Sequence, residues 1–133
     1  MTIFSRFLIL GALLAASSAS AGSIRLELNA LNPQQDACQI VFVAQNESGS
    51  DLERLVLEAV LFDRQGRVAV LTLFDLQDLP AARMRVRSFQ MAGLACDGLS
   101  RLLINGISAC VPEGPACEAP LVLETRVPVE VLH

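Results

Sequence analysis

Leu52–Phe74, LERLVLEAVLFDRQGRVAVLTLF, is two apolar runs separated by one polar break, Asp63-Arg64-Gln65-Gly66. Strand alternation puts Leu55, Leu57, Ala59 and Leu61 on one face of the first run, and Val56, Glu58, Val60 and Phe62 on the other. Both faces are mostly apolar, which predicts an interior strand covered on both sides. The break reads as a type I turn with Gly66 in the left-handed position, a common hairpin connection. The second run puts Val68, Val70, Thr72 and Phe74 on one side and Ala69, Leu71 and Leu73 on the other. A helix is the rival reading, because Leu52, Leu55, Val56 and Ala59 fit helical spacing and Leu, Glu and Ala favour helices. That helix would be apolar nearly all round, and periodicity alone does not settle short apolar runs. The Asp-x-x-Gly break between two β-rich runs decides for strands.

Outward from this hairpin the same alternation recurs. Ser23–Leu31 alternates Ile24, Leu26, Leu28 and Ala30 against Arg25, Glu27 and Asn29, a half-buried strand. Asn32–Asp36 is a turn. In the second strand, Cys38–Ala44, one face carries Cys38, Ile40, Phe42 and Ala44. Asn46–Asp51, NESGSD, is a solvated loop by composition. Its Asn46-Glu47-Ser48 matches a glycosylation acceptor by chance. Arg83–Met91 is a strand with Met84, Val86 and Phe89 inward, and Leu99–Ser108 is another. Leu121–Leu132 closes the domain, and Pro128 marks it as an edge strand because Pro cannot donate to a ladder. About seven short strands without a convincing helix predict an all-β fold, an immunoglobulin-like sandwich of antiparallel strands. With no Trp and no Tyr, the chain lacks the core Trp and tyrosine corner of antibody domains.

Met1–Ala21 reads as a signal peptide: Arg6, then the apolar Leu8–Ala16, then Ala19-Ser20-Ala21 before Gly22. The alternative is an uncleaved membrane anchor, but the apolar run is short for a bilayer. No twin arginine precedes it, which favours the general secretory route to a periplasmic or secreted location. Cleavage leaves residues 22–133 as one domain of 112 residues, long enough for a real core. This portion has 9 Arg, no Lys and 14 Asp plus Glu, a net charge of −5. An acidic chain argues against nucleic acid or an anionic membrane as the main partner.

All four cysteines lie in the exported part, where an even count implies two disulfides. If 99–108 is a strand, Cys96 and Cys110 sit at its two ends, tens of Å apart at about 3.3 Å per residue. A bridge needs Cα atoms within roughly 7 Å, so that pairing fails. Cys38 and Cys96 start the second and sixth strands, which run the same way in such a sandwich. Cys110 and Cys117 flank one loop. The expected bridges are Cys38–Cys96 and Cys110–Cys117. Metal or redox use is the alternative, but no Cys-x-x-Cys is present.

Little catalytic chemistry is available. The single His is His133, the last residue, so Ser-His and Cys-His nucleophile arrangements are missing and no enzyme is expected. Asp63, Asp75, Asp78 and Asp97 sit at turns and would bind calcium only if they converged. No metal and no cofactor are expected. Arg83, Arg85 and Arg87 are the most specific polar feature, a stripe on one strand face at intervals of about 6.6 Å. It would hold a carboxylate-rich partner or small anion by bidentate contacts, or be a solvated face paired with nearby acids. Glu58 is the expected partner of one of these arginines.

The stretch LVLEAVLFDRQGRVAVLTLFDL, with LP, RVRSF and GLACDGLSRLLINGISAC after it, resembles a group of small exported proteins from alphaproteobacteria of the Rhodobacter type. They are labelled only as signal-sequence-domain or hypothetical proteins, and the resemblance implies no activity. VLFDRQGRV is also distantly similar to the strand–turn–strand of FxLyD-like envelope sandwich modules, which implies the fold alone. The functional expectation is a non-enzymatic periplasmic module that binds another envelope protein, through an edge strand or the arginine stripe. A carrier or sensor of a small anion at that stripe is the alternative. The sequence leaves the oligomeric state open.

Overall fold

A computed structural model describes residues 22–133, and the expected signal peptide, Met1–Ala21, lies outside them. Eight strands follow in order: β1 (Ile24–Gln34), β2 (Ala37–Asn46), β3 (Arg54–Asp63), β4 (Val68–Asp75), β5 (Met84–Ala92), β6 (Leu99–Val111), β7 (Leu121–Thr125) and β8 (Glu130–Leu132). The only helical pieces among the described residues are a 3₁₀ turn at Cys96–Gly98 and a single helical turn at Pro115–Glu118. Two four-stranded sheets, β5-β2-β1-β7 and β4-β3-β6-β8, stack as an immunoglobulin-like sandwich.

The central hairpin forms as expected. Asp63 organises its turn: one carboxylate oxygen accepts from the backbone N–H of Gln65 and of Arg67, both at 2.9 Å. Gly66 takes φ +76°, where a side chain would be strained. Leu55, Leu57, Ala59 and Leu61 face the other sheet and are buried, as are Cys38, Ile40, Phe42 and Ala44 opposite them. Phe42, Phe74 and Phe89, from β2, β4 and β5, join the sheets, with ring centroids 4.7 to 6.1 Å apart. Such edge-on and tilted contacts add to area burial.

The structure departs from the sequence reading in four places. First, the pairing is mixed, not wholly antiparallel: β1–β7 and β6–β8 are parallel. Second, the last strand is split at Arg126–Val129, so Pro128 lies in the break and the chain passes from one sheet to the other. Third, β1 runs on to Gln34, and the turn is only Gln35-Asp36, with Asp36 at φ +55°. Fourth, β3 is covered by a second layer on one side only. On its outer side Val56 and Val60 are buried without a second layer; the register sets Leu71 and Leu103 on either side of Val60.

Both expected bridges are present. Cys38–Cys96 ties the start of β2 to the turn before β6 with Cα atoms 5.0 Å apart, and Cys110–Cys117 closes the β6–β7 loop at 5.9 Å. Two disulfides suit a non-reducing, extracytoplasmic environment. No helix among the described residues is long and apolar enough to cross a membrane.

Candidate functional site

The arginine stripe comes out differently from its alternation. Met84 and Val86 are not packed inward; they are 58% and 59% exposed, while Phe89 and Met91 pack against the core. The register decides this: β5 pairs with β2 so that Phe89 lies beside Ile40 and Met91 beside Cys38, both core positions. Arg85 and Arg87 share that inward face. They escape burial because β5 is an edge strand, so a guanidinium can reach round its margin to water. Arg87 is held most firmly. Its Nε donates to Leu76 O at 2.6 Å and its Nη2 to Asp78 O at 2.9 Å and Asp78 Oδ1 at 3.2 Å. Arg85 lies 3.9 Å from Asp78. Arg85 Nη1 also donates to Met84 O, and Arg87 Nη1 to Val86 O. The stripe is therefore mostly a set of internal fasteners. Of the three, only Arg83 makes no side-chain hydrogen bond or ion pair among the described residues.

Glu58 does not pair with any of these arginines; it accepts from Asn105 Nδ2 at 3.2 Å across β3–β6. The turn aspartates do not converge. Asp63 pairs with Arg67, Asp75 with Arg54 and Asp78 with Arg87. Among the described residues no group of three or more His, Cys, Asp or Glu could hold a metal ion. The backbone N–H of Arg67 and the Asn29 amide hold the carboxyls of Asp63 and Glu27 below the usual carboxylate range, and the Gln77 N–H and Arg54 do the same for Asp75. These are shifts of surface pairs and imply no acid–base chemistry. His133 Nε2 lies 3.0 Å from Leu121 O.

Asn46 is a residue that the sequence reading missed. It is the one buried polar side chain among the described residues. Its Nδ2 donates to Ser50 O and Leu79 O, both at 2.7 Å, and its Oδ1 accepts from the Ser48 N–H and hydroxyl. The amide is committed to holding the loop, which leaves the glycosylation-like triplet without an accessible acceptor.

A shallow cavity of about 510 Å³ beside the Cys38–Cys96 bridge is lined by the end of β1, Pro33 and Gln34, and by turn residues, Asp36, Gly93, Leu94 and Asp97 among them. No unpartnered buried side-chain polar atom points into it.

The margin of the second sheet is different. β4 pairs only with β3, and its other edge is open. Residues 68–74, VAVLTLF, contain no charge, no Pro and no Gly. Exposed apolar side chains stand along it: Val68 at 55%, Leu71 at 72% and Leu73 at 54%. Edge strands are usually blunted by charge, Pro, bulges or a covering element; β4 has one such irregularity, a register shift with β3 at Ala69 near its start, and is regular from Val70 to Asp75. β5 carries such blunting, since Arg85 and Arg87 occupy two of its carbonyls. No side chain among the described residues bonds the backbone of 68–74. No family model, curated protein or solved structure matches the chain.

Proposed function

We propose that this chain is an exported, non-enzymatic β-sandwich, delivered by the general secretory route, that acts in the periplasm or outside the cell as a protein-binding module. It takes an extended segment of its partner as a fifth strand on β4. The observation that carries this reading is the bare edge of β4 with Leu71 and Leu73 exposed beside it. Strand addition would satisfy its free backbone groups, and the leucines would supply side-chain contacts. Membership in the group of small exported proteins it resembles fits the same location and adds no activity. The rival use of Arg83, Arg85 and Arg87 as an anion site has less support, because two of the three are already engaged.

A photo-cross-linking residue placed at Leu71, and in a second variant at Met84 on β5, tests the reading in periplasm. Adducts at 71 and none at 84 are expected. No adduct at 71 would refute strand addition. Thermal stabilisation by added sulfate or citrate, lost when all three arginines become Gln, would instead establish the anion site.

A further inference from the structure

The edge of β4 is self-complementary. Residues 67–75 read Arg-Val-Ala-Val-Leu-Thr-Leu-Phe-Asp, with a cation at one end, an anion at the other and Leu71 at the middle. We propose that the strand added to β4 is β4 of a second copy of this chain, antiparallel about a two-fold axis through Leu71. This rests on the strand-addition reading and names its partner.

The register follows from charge and face. Pairing about Leu71 sets Leu71 beside its own copy, Val70 beside Thr72, and Ala69, where β4 carries its extra residue, beside Leu73. Arg67 of each copy then lies at the same end of the strand pair as Asp75 of the other. Within one chain Arg67 already pairs with Asp63 at 3.1 Å, and Asp75 with Arg54 at 3.0 Å. Each end of the shared strand pair therefore becomes a row of alternating sign: Asp63, Arg67, Asp75, Arg54. A slip of one residue sets outward side chains beside core-facing ones. A slip of two sets Arg67 and Asp75 against uncharged residues. Centring on Leu71 matches the faces of the regular part of β4 and brings the opposite charges to the same ends. It also merges the two second sheets into one of eight strands, with β8 at both ends. A two-fold contact uses the same patch on both subunits, which a palindromic charge pattern satisfies. One strand pair is a small contact, so the dimer dissociates on dilution.

Cysteine pairing reads the register. Directly opposite residues have Cα atoms about 4.5 to 5.5 Å apart, within disulfide reach. Leu71→Cys protein should cross-link to itself under mild oxidation. Ala69→Cys alone and Leu73→Cys alone should not, because their own copies lie about 13 Å away, four residues along the strand. An equal mixture of the two should cross-link. All three positions are exposed, so the fold is expected to stand. Light scattering on unmodified protein should show a concentration-dependent dimer, and Leu71→Lys, which sets two cations side by side, should abolish it with the melting temperature unchanged. A monomer at every soluble concentration, or a dimer that survives Leu71→Lys, would overturn the self-pairing. So would failure of the mixed cysteine variants to join. Cross-linking of Leu71 to a different chain in such a case would leave strand addition standing with another partner.

Discussion

Removing the Cys38–Cys96 bridge should cost more stability than removing Cys110–Cys117, by an amount the loop lengths set. The two bridges close loops with sequence separations of 58 and 7. The chain-entropy relation gives about 4.2 kcal/mol for the first and about 2.4 for the second at 25 °C. The difference, about 1.8 kcal/mol, is about a 20-fold change in the folding equilibrium. Packing pushes the same way, since Cys38 is fully buried among Leu28, Ile40 and Leu99 in the core cluster. The assay is urea unfolding of Cys38→Ala/Cys96→Ala and of Cys110→Ala/Cys117→Ala, each against the unmodified protein. The slope with denaturant should also rise more in the first variant, because its unfolded chain is less compact. Equal losses in the two variants, or a larger loss in the second, would refute the entropic account.

Other expectations follow from the packing and the surface pairs. Asn46→Ala should cost about 3 kcal/mol in the same assay, because it leaves Ser50 O, Leu79 O and the Ser48 N–H without their partner. Leu57→Ala, in the middle of the core, should cost about 2 to 5 kcal/mol, while Leu71→Ala should change stability little because its side chain is in water. Glu27, Asp63 and Asp75 have lowered folded-state values. Their contribution is therefore present above the ordinary carboxylate range and lost as pH falls through their folded values. Stability should be level above about pH 5 and decline below about pH 4. Asp63→Asn should flatten part of that decline in an unfolding series against pH. Arg87→Gln should lower stability by about 1 kcal/mol through the lost bonds to Leu76 O and Asp78, measured by thermal melting.

Most strands were legible in the sequence because burial writes itself with a period of two. The faces of β1 and β2 show this most clearly, with Ile24, Leu26, Leu28, Cys38, Ile40 and Phe42 all inside. The bridges were legible because their spacing, together with strand direction, allows few pairings. β5 misled because its arginines alternate with Met84 and Val86, and alternation cannot say which set is outside on an edge. Phe89 and the register with Ile40 decided it, and a long side chain can turn inward where water is one strand-width away. The parallel pairs joined residues 97 positions apart in β1–β7 and 29 apart in β6–β8, and left no local signal. Asn46 was read as loop because polar composition marks loops, whereas its role comes from Leu79, 33 residues on. The open edge of β4 was present in the letters VAVLTLF, but its being a margin depended on β3 choosing β6 as its other neighbour.

The split of the last strand into β7 and β8 has a consequence for how such units can associate. Residues 121–132 lie against β1 in one layer and β6 in the other, so one ribbon forms the margin of both sheets on that flank, in two short strands of five and three residues. On the opposite flank β5 is stoppered by its own arginines. Open-ended growth requires two different sticky margins per unit, one to give and one to receive. With β4 as the joining margin, the edges left outside the pair are the short β7 and β8 and the stoppered β5, which favours a closed pair over a filament.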